Sequence, residues 1–569
     1  KIGDGNDVIN GYLDAQTDID DSSNKDTLDY SQVSSAGYFA DVDLSTTNAY
    51  IRSGDHTTNT IEQTDTISNI ENIIGSSGDD IFKGNDEVNI ISGGIGNDTI
   101  SGGAGADKLN GDSGDDIFTD TSFTGDTIDG GTHTIDAIGT QSSSTPYPGK
   151  GDTVDYRNVT SKITLVLEDG GATTNVKVGN TTADHTIANI ENIYGSSTVG
   201  DEITGNNLVN TILGYGGDDT IDGGAGADYL DGGVGSGTDI NTISFKSFTT
   251  AVTVNLTNET SSDGDVLKNF TNIIGSDISA QNDYLIGNSD ANKIEGLAGN
   301  DTLEGLGGAD DLLGGEGNDV FILRANDGID TIDGGAGSGD IADYSNLTST
   351  QNLTLALDTS TSTISTVVDG ASTYTDNIVN VENIKGGAGA DNLTGDAFKN
   401  TFWGGAGNDI LDGGYESDLL YGEDGDDILI GGLGDDYLVG GEGNEINGDT
   451  INYSTKVLPL DVNLINITAT GYAISTIGVE QDSLKEIENI VGTIYADYIG
   501  GDNDKNTLDG GKGDDTLVGL GGTDYLLGNE GDDIFHAGLN DNFSAGQDKI
   551  YESGDDGIDY IDGGENEED

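Results

Sequence analysis

Carboxylates at a fixed spacing are the residues of this chain with chemistry to offer. Three consecutive units set the pattern: Gly93-Gly94-Ile95-Gly96-Asn97-Asp98-Thr99-Ile100-Ser101, Gly102-Gly103-Ala104-Gly105-Ala106-Asp107-Lys108-Leu109-Asn110 and Gly111-Asp112-Ser113-Gly114-Asp115-Asp116-Ile117-Phe118-Thr119. Each has an aspartate at position six and a large apolar residue at position eight. Carboxylate oxygens are hard ligands that suit calcium. Glycines at positions two and four, among them Gly94, Gly96, Gly103, Gly105, Gly405, Gly407, Gly432, Gly434, Gly511 and Gly513, permit positive φ. A tight turn built on them aims carbonyl oxygens inward beside the aspartate.

The same position-six aspartate recurs along the chain. The candidate ligands are Asp7, Asp80, Asp98, Asp107 and Asp116; Asp219 and Asp228; Asp283, Asp301, Asp310 and Asp319; Asp391, Asp409, Asp418, Asp427 and Asp436; and Asp497, Asp515, Asp524, Asp533 and Asp559. Composition demands a cation for them. Against 104 acidic residues stand 20 basic ones, a formal charge of −84, and only 33% of the residues are hydrophobic. Such a chain self-repels unless its carboxylates are neutralised. On the order of twenty calcium ions, at two charges each, would offset about forty charges.

The elements that position these groups follow from the period. Positions seven to nine read as a three-residue strand with position eight inward, since successive side chains alternate sides. Two nonapeptides make an 18-residue coil of strand, turn, strand, turn, so Asp98 and Asp116 stack on one edge while Ile100, Leu109 and Phe118 build a thin core. The expected fold is all-β, an elongated parallel β-roll or β-helix solenoid with cations in the turns. The motif GGxGxD followed by x-apolar-x resembles the repeat-in-toxin (RTX) family, whose nonapeptides bind calcium. The resemblance implies a parallel β-roll, calcium at these aspartates and glycine turns, and secretion from bacteria by the type I route.

A longer period overlies the nonapeptides. Five rolls, at 75–119, 195–240, 275–322, 386–447 and 492–536, are each preceded by a short signature: Asn69-Ile70-Glu71-Asn72-Ile73, Asn189-Ile190-Glu191-Asn192-Ile193, Asn269-Phe270-Thr271-Asn272-Ile273, Asn380-Val381-Glu382-Asn383-Ile384 and Glu486-Ile487-Glu488-Asn489-Ile490. Before each signature lie spacers with strand-like alternation, such as Ile163-Thr164-Leu165-Val166-Leu167. The chain thus divides into superunits 1–119, 120–240, 241–335, 336–448 and 449–569, the last with an acidic tail. The spacers either continue the solenoid or bulge from it as small sheets. In the second nonapeptide of each roll, position six is asparagine: Asn89, Asn210, Asn292, Asn400 and Asn506. These read as a ladder satisfying turn hydrogen bonds where spacer meets roll; the alternative is a built-in weak site that sets where the solenoid opens first. Glu416 stands where position four is otherwise glycine and puts the Asp418 site in question.

No catalytic constellation emerges, and the chain reads as a non-enzyme. The four histidines, His56, His133, His185 and His536, are dispersed and lack HExxH spacing. There is no G-x-S-x-G elbow, and neither Gly149-Lys150 nor Gly511-Lys512 continues into serine or threonine. Aspartate pairs such as Asp79-Asp80, Asp115-Asp116 and Asp218-Asp219 recur at equivalent positions, which structure explains better than acid–base chemistry. Trp403 reads as a lone outward aromatic. Nucleic acid is excluded as a partner by the missing basic stripe. A membrane span is excluded because no long apolar run exists. Cysteine is absent, so folding uses no disulfide. Weak acidic sites fill at the millimolar calcium found outside cells, which points to a secreted or cell-surface protein.

The opening residues 1–7 fall mid-repeat, and residues 565–569 do not resemble a complete type I secretion signal, so the chain reads as a fragment or processed product, or as a subunit joined end to end. The expected function is that of a calcium-dependent structural protein of a bacterial surface, such as a surface-layer subunit, filament or adhesin stalk. Its partners would be copies of itself or cell-surface polysaccharide. The alternative is an accessory module of a secreted enzyme or toxin.

Overall fold

The computed structural model describes residues 8–10, 26–33, 37–53, 60–119, 125–132, 150–179, 185–234, 237–358, 363–369, 372–441, 443–464, 473–477, 480–522, 524–536, 549–551 and 560–562. Among them there is no α-helix; a 3-10 turn, Asp169–Gly171, interrupts the β-structure. Among the described residues no helix is long and apolar enough to cross a membrane. The chain forms two compact units, 1–277 and 278–569, and their boundary falls within the third superunit.

Within the first unit the 18-residue coil is plain in the strand register. Ile81–Lys83 pairs in parallel with Thr99–Ser101, placing Phe82 beside Ile100, and Ile100 lies in turn beside Phe118. The row continues through Val154, Ile193, Ile212, Leu230 and Leu267. Across the thin core stands a second row, which includes Leu28, Ile73, Ile91, Leu109, Ile128 and Ile187. The second unit repeats the plan, with Leu285, Leu303, Phe321, Ala342, Ile384, Phe402, Leu420, Leu438 and Leu484 in one file. These side chains are almost wholly buried, and position eight faces inward as expected. One local difference is strand length: Ile90–Ile95, Lys108–Ser113, Thr401–Ala406 and Leu419–Asp424 run six residues, through positions one to three of the next turn. Stacked glycine turns there lie close enough to continue the ladder.

The spacers do both things that the sequence left open. Ile163–Val166, Thr174–Val178 and His185–Ala188 form an antiparallel meander. Its last strand pairs in parallel with the preceding coil (Ile187 with Ile128), and its first with the following one (Leu165 with Ile203). One antiparallel strand therefore splices two parallel stretches of one face, while the opposite face runs on from Phe118 to Val154 to Ile193. Leu460–Asn463, Ala473–Ile477 and Glu480–Lys485 repeat this between Leu438 and Ile499. The meander keeps its strands paired with both neighbouring coils while changing the length of chain per coil.

The signatures close these meanders. Asn69, Asn189, Asn269, Asn380 and Glu486, the first residues of the five, all take left-handed backbone, with φ between 52° and 58°. Asparagine tolerates that region because its side chain can bond locally. Asn189, Asn269 and Asn380 indeed donate through Nδ2 to Asp129, Asp231 and Asp333 at 2.6–2.7 Å.

Candidate metal centre

The coil period brings the position-six aspartates into vertical ladders. The Asp80 amide donates to Asp98 Oδ1 at 2.7 Å, the Asp98 amide to Asp116 Oδ1 at 2.7 Å, and the Asp116 amide to Asp152 Oδ1 at 2.8 Å. The opposite edge runs from Asn89 to Asp107 and on to Asp126. The second roll has Asp201 to Asp219 and, on its other edge, Asn210 to Asp228 to Asp265. In the second unit the same bonds join Asp283, Asp301, Asp319 and Asp340; Asn292, Asp310 and Asp330; Asp391, Asp409, Asp427 and Asp449; Asn400, Asp418, Asp436 and Asp482; Asp497, Asp515 and Asp533; and Asn506 with Asp524.

One oxygen of each carboxylate is thus committed to the ladder, and the other decides what the site can hold. Oδ2 of Asp98, Asp116, Asp219, Asp228, Asp301, Asp310, Asp319, Asp409, Asp418, Asp427, Asp436 and Asp515 is buried without any hydrogen-bond partner. A buried carboxylate oxygen with no donor is costly unless a cation meets it. The turn glycines form the cradle: Gly94 and Gly96 hold φ of 107° and 128°, and a Cβ on Gly93 would overlap Asp98 Oδ2. The other glycines singled out from the sequence at these two positions share that backbone. The first aspartates of four rolls differ. Asp80, Asp201, Asp391 and Asp497 each take amide donors on both oxygens, from Ala40 and Ser76, Ile163 and Ser196, Leu353 and Gly387, and Leu460 and Thr493.

Burial raises the carboxyls of both groups: amide-capped Asp80 and Asp391 reach about 6, as do Asp116 and Asp427. Burial pushes the Asp98 carboxyl up to about 8, assisted by the charges of Asp80 and Asp116. Burial likewise lifts Asp409 and Asp436 to about 8, with Asp391 and Asp427 adding to the first and Asp482 and Asp418 to the second. Stacked carboxylates of one sign, out of water, ask for a divalent ion or for protons. The donor set of carboxylate and turn carbonyl oxygens fits calcium.

A profile of the RTX calcium-binding nonapeptide repeat, four copies long, matches residues 67–100, 84–118, 204–239, 280–321, 322–338, 385–415, 412–444, 487–517, 500–535 and 509–543. The chain belongs to the RTX calcium-binding repeat family. No curated protein matches it.

Several features of this RTX chain were not legible as nonapeptides. Asp126, Asp152, Asp265, Asp330, Asp340, Asp376, Asp449 and Asp482 carry the ladders across irregular stretches, at separations of 19 to 46 residues instead of 18. Four of them share a D-T-apolar triplet as a signal, Asp126-Thr127-Ile128, Asp152-Thr153-Val154, Asp330-Thr331-Ile332 and Asp449-Thr450-Ile451, and the other four have none. Asp201 was hidden by a turn one residue longer than the motif. Buried Tyr156, Tyr344 and Tyr453 occupy equivalent places after such strands, and their hydroxyls meet His185 Nε2 at 2.7 Å, Asp376 at 2.9 Å and Asp482 at 3.0 Å.

The other sequence expectations resolve individually. Asn89, Asn210, Asn400 and Asn506 donate through Nδ2 to the carbonyls of Glu71, Glu191, Glu382 and Glu488, so the asparagines join spacer to roll by hydrogen bonds. Glu416 adopts φ 66° in the glycine's place and leaves the Asp418 ladder bond intact at 2.8 Å. Asp79 and Asp218 face solvent while Asp80 and Asp219 face inward, so these neighbours do not converge as acid–base pairs. Trp403 is not alone: it stacks on Tyr421 at 6.0 Å and 8°, with the Lys385 ammonium 5.6 Å from its ring centre. Asp7, Asp559, His56 and His133 lie outside the described residues.

Proposed function

We propose that this RTX chain is a secreted, non-catalytic structural protein of a bacterial surface that folds and assembles on binding calcium. The observation carrying the reading is the buried, donor-free Oδ2 repeated from rung to rung, for instance at Asp409, Asp418, Asp427 and Asp436. A site repeated so evenly serves the scaffold as a whole, whereas catalysis needs one place different from the rest. The interior aspartates, with the carbonyls of their glycine turns, are the ligands, on the order of twenty ions in all. At the low calcium of a cell interior the carboxylates repel and the chain stays open. Outside, binding and folding proceed together because the sites exist only in the folded state. The remaining acidic surface supports further bridging by calcium between copies of the chain or to anionic polysaccharide.

The test is electron microscopy with circular dichroism during a calcium titration from excess EGTA. Ordered sheets or filaments that appear with calcium and vanish with chelator are expected. Discrete folded monomers at every calcium concentration would sink the assembly reading and favour an accessory module of a secreted enzyme. β-Structure that persists unchanged in EGTA would sink calcium-coupled folding itself.

A further inference from the structure

The base of the last meander holds a cluster that the nonapeptide motif does not account for. Glu445, Asp449 and Glu488 each offer a ligand oxygen, and these atoms lie within 4.8 Å of one another. Two oxygens on opposite sides of a calcium ion, each at about 2.4 Å, stand about that far apart. Glu445 belongs to a turn, 440–449, four residues longer than the repeat; it and Asp449 fall outside every matched segment. Glu488 is the third residue of the fifth signature.

Asp449 points to a ligand by itself. Its side chain is 0% exposed, its Oδ1 accepts the Asp427 amide at 2.8 Å, and its Oδ2 has no hydrogen-bond partner. The Asp449 amide in turn donates to Glu488 Oε2 at 2.8 Å, which brings the second carboxylate against the first. A Cβ on Gly448 would meet Glu488 Cβ, Cγ and Oε2 at 2.7–2.8 Å, so the glycine makes room for that approach. Burial, Asp427, Glu445 and Glu488 together raise the Asp449 carboxyl to about 8, and burial with Glu445 and Asp502 raises Glu488 to about 7.

The other superunits supply an independent observation. The same amide-to-glutamate bond joins Asp26 to Glu71, Asp152 to Glu191 and Asp340 to Glu382. In the third superunit the aspartate's place is taken by Asn241 and the glutamate's by Thr271, and the Thr271 amide bonds the Asn241 carbonyl at 2.9 Å. Accepting one amide requires only the glutamate. That both charges are lost together at the one exception is what a shared counter-ion predicts, because either carboxylate alone would be left without it.

We propose that Glu445, Asp449 and Glu488 form a calcium site separate from those of the repeat turns, serving as a clip at the base of the spacer. Asp449 and Glu488 flank the meander 460–485, so an ion between them closes a loop of about forty residues and fixes where the next roll begins. The inference rests on the chain folding as a calcium-loaded roll, and its test keeps the two apart.

The experiment is hydrogen–deuterium exchange of the full chain, titrated with calcium from EGTA, comparing the unmodified protein with Glu445→Gln and with Glu445→Gln/Glu488→Gln. In the double variant, peptides covering 443–452 and 486–491 should need at least ten times more calcium for protection. Peptides covering 404–436 should keep their midpoint. Glu445→Gln alone leaves the Asp449–Glu488 hydrogen bond untouched, so folding is not at stake, and it should shift the same peptides in the same direction. Unchanged midpoints at 443–452 in the single variant overturn the clip, whatever the double variant does. Failure of 404–436 in the unmodified chain to gain protection with calcium would instead overturn the roll reading.

Discussion

At the residue scale, the second oxygen of each aspartate separates two populations that one motif letter does not. Asp409 carries a buried, unpartnered Oδ2, whereas both oxygens of Asp391 already accept amides. Asp409→Asn should keep its ladder bond, as Asn241 accepts the Asp219 amide through Oδ1 at 3.0 Å, yet raise the calcium needed for folding about tenfold by removing ligand charge. Asp391→Asn should shift it much less. Calcium titrations followed by circular dichroism compare the two, and equal shifts would refute the distinction. Glu486 poses a different question. It holds φ 55° where four equivalent signatures place asparagine. Left-handed backbone costs an ordinary residue about 1 kcal/mol. Glu486→Asn should therefore stabilise the calcium-loaded protein by roughly 0.5–1 kcal/mol, read as a higher midpoint in denaturant titration.

At the element scale, the tyrosine–aspartate clasp inside two of the spacers tests how the meander is held. The Tyr453 hydroxyl donates to buried Asp482 at 3.0 Å, and Tyr344 does the same for Asp376. Tyr453→Phe removes the donor and leaves a buried carboxylate oxygen short of a partner, at a cost of about 1–3 kcal/mol. Calcium-loaded unfolding of Tyr453→Phe, set beside Tyr453→Phe/Asp482→Asn, should show the double variant recovering part of the loss; no recovery would mean the tyrosine acts by packing alone. Neither partner was legible beforehand. The nonapeptide period announces itself because one coil is two repeats, so Asp98 and Asp116, or Phe82 and Ile100, stack at constant separation. A meander varies the separation from spacer to spacer, and Tyr453 and Asp482 stand 29 residues apart with no motif between them. The alternating strands Ile163-Thr164-Leu165 and Leu460-Asp461-Val462 were readable as strands. Their antiparallel splice between parallel coils was not, because alternation gives the face of a strand but not the direction of its neighbour.

At the scale of the whole molecule, protons and calcium should compete for one role. The chain carries −84 formal charges, and its ladders bury carboxylates side by side. Without a cation, burial lifts Asp98, Asp228, Asp409, Asp436 and Asp515 to about 8, and Asp116, Asp319 and Asp427 to about 6, from an ordinary value of 3.8. A group whose folded pKa lies above its unfolded one binds protons more tightly when folded. Its stabilising contribution is complete below about pH 4 and is lost as the pH rises through 6 to 8. The calcium-free chain should therefore gain β-structure in acid, near pH 4, and lose it on the way to pH 8. With saturating calcium the order changes, because the ionised carboxylates are then the competent form and structure should persist at pH 8. Circular dichroism across pH 4–8, in EGTA and in millimolar calcium, measures both arms. A calcium-free chain equally structured at pH 4.5 and pH 8 would mean that carboxylate repulsion is not what holds it open. Acid should also lower the calcium requirement for folding while weakening the affinity of each site, since a proton replaces the ion as neutraliser without bridging adjacent rungs.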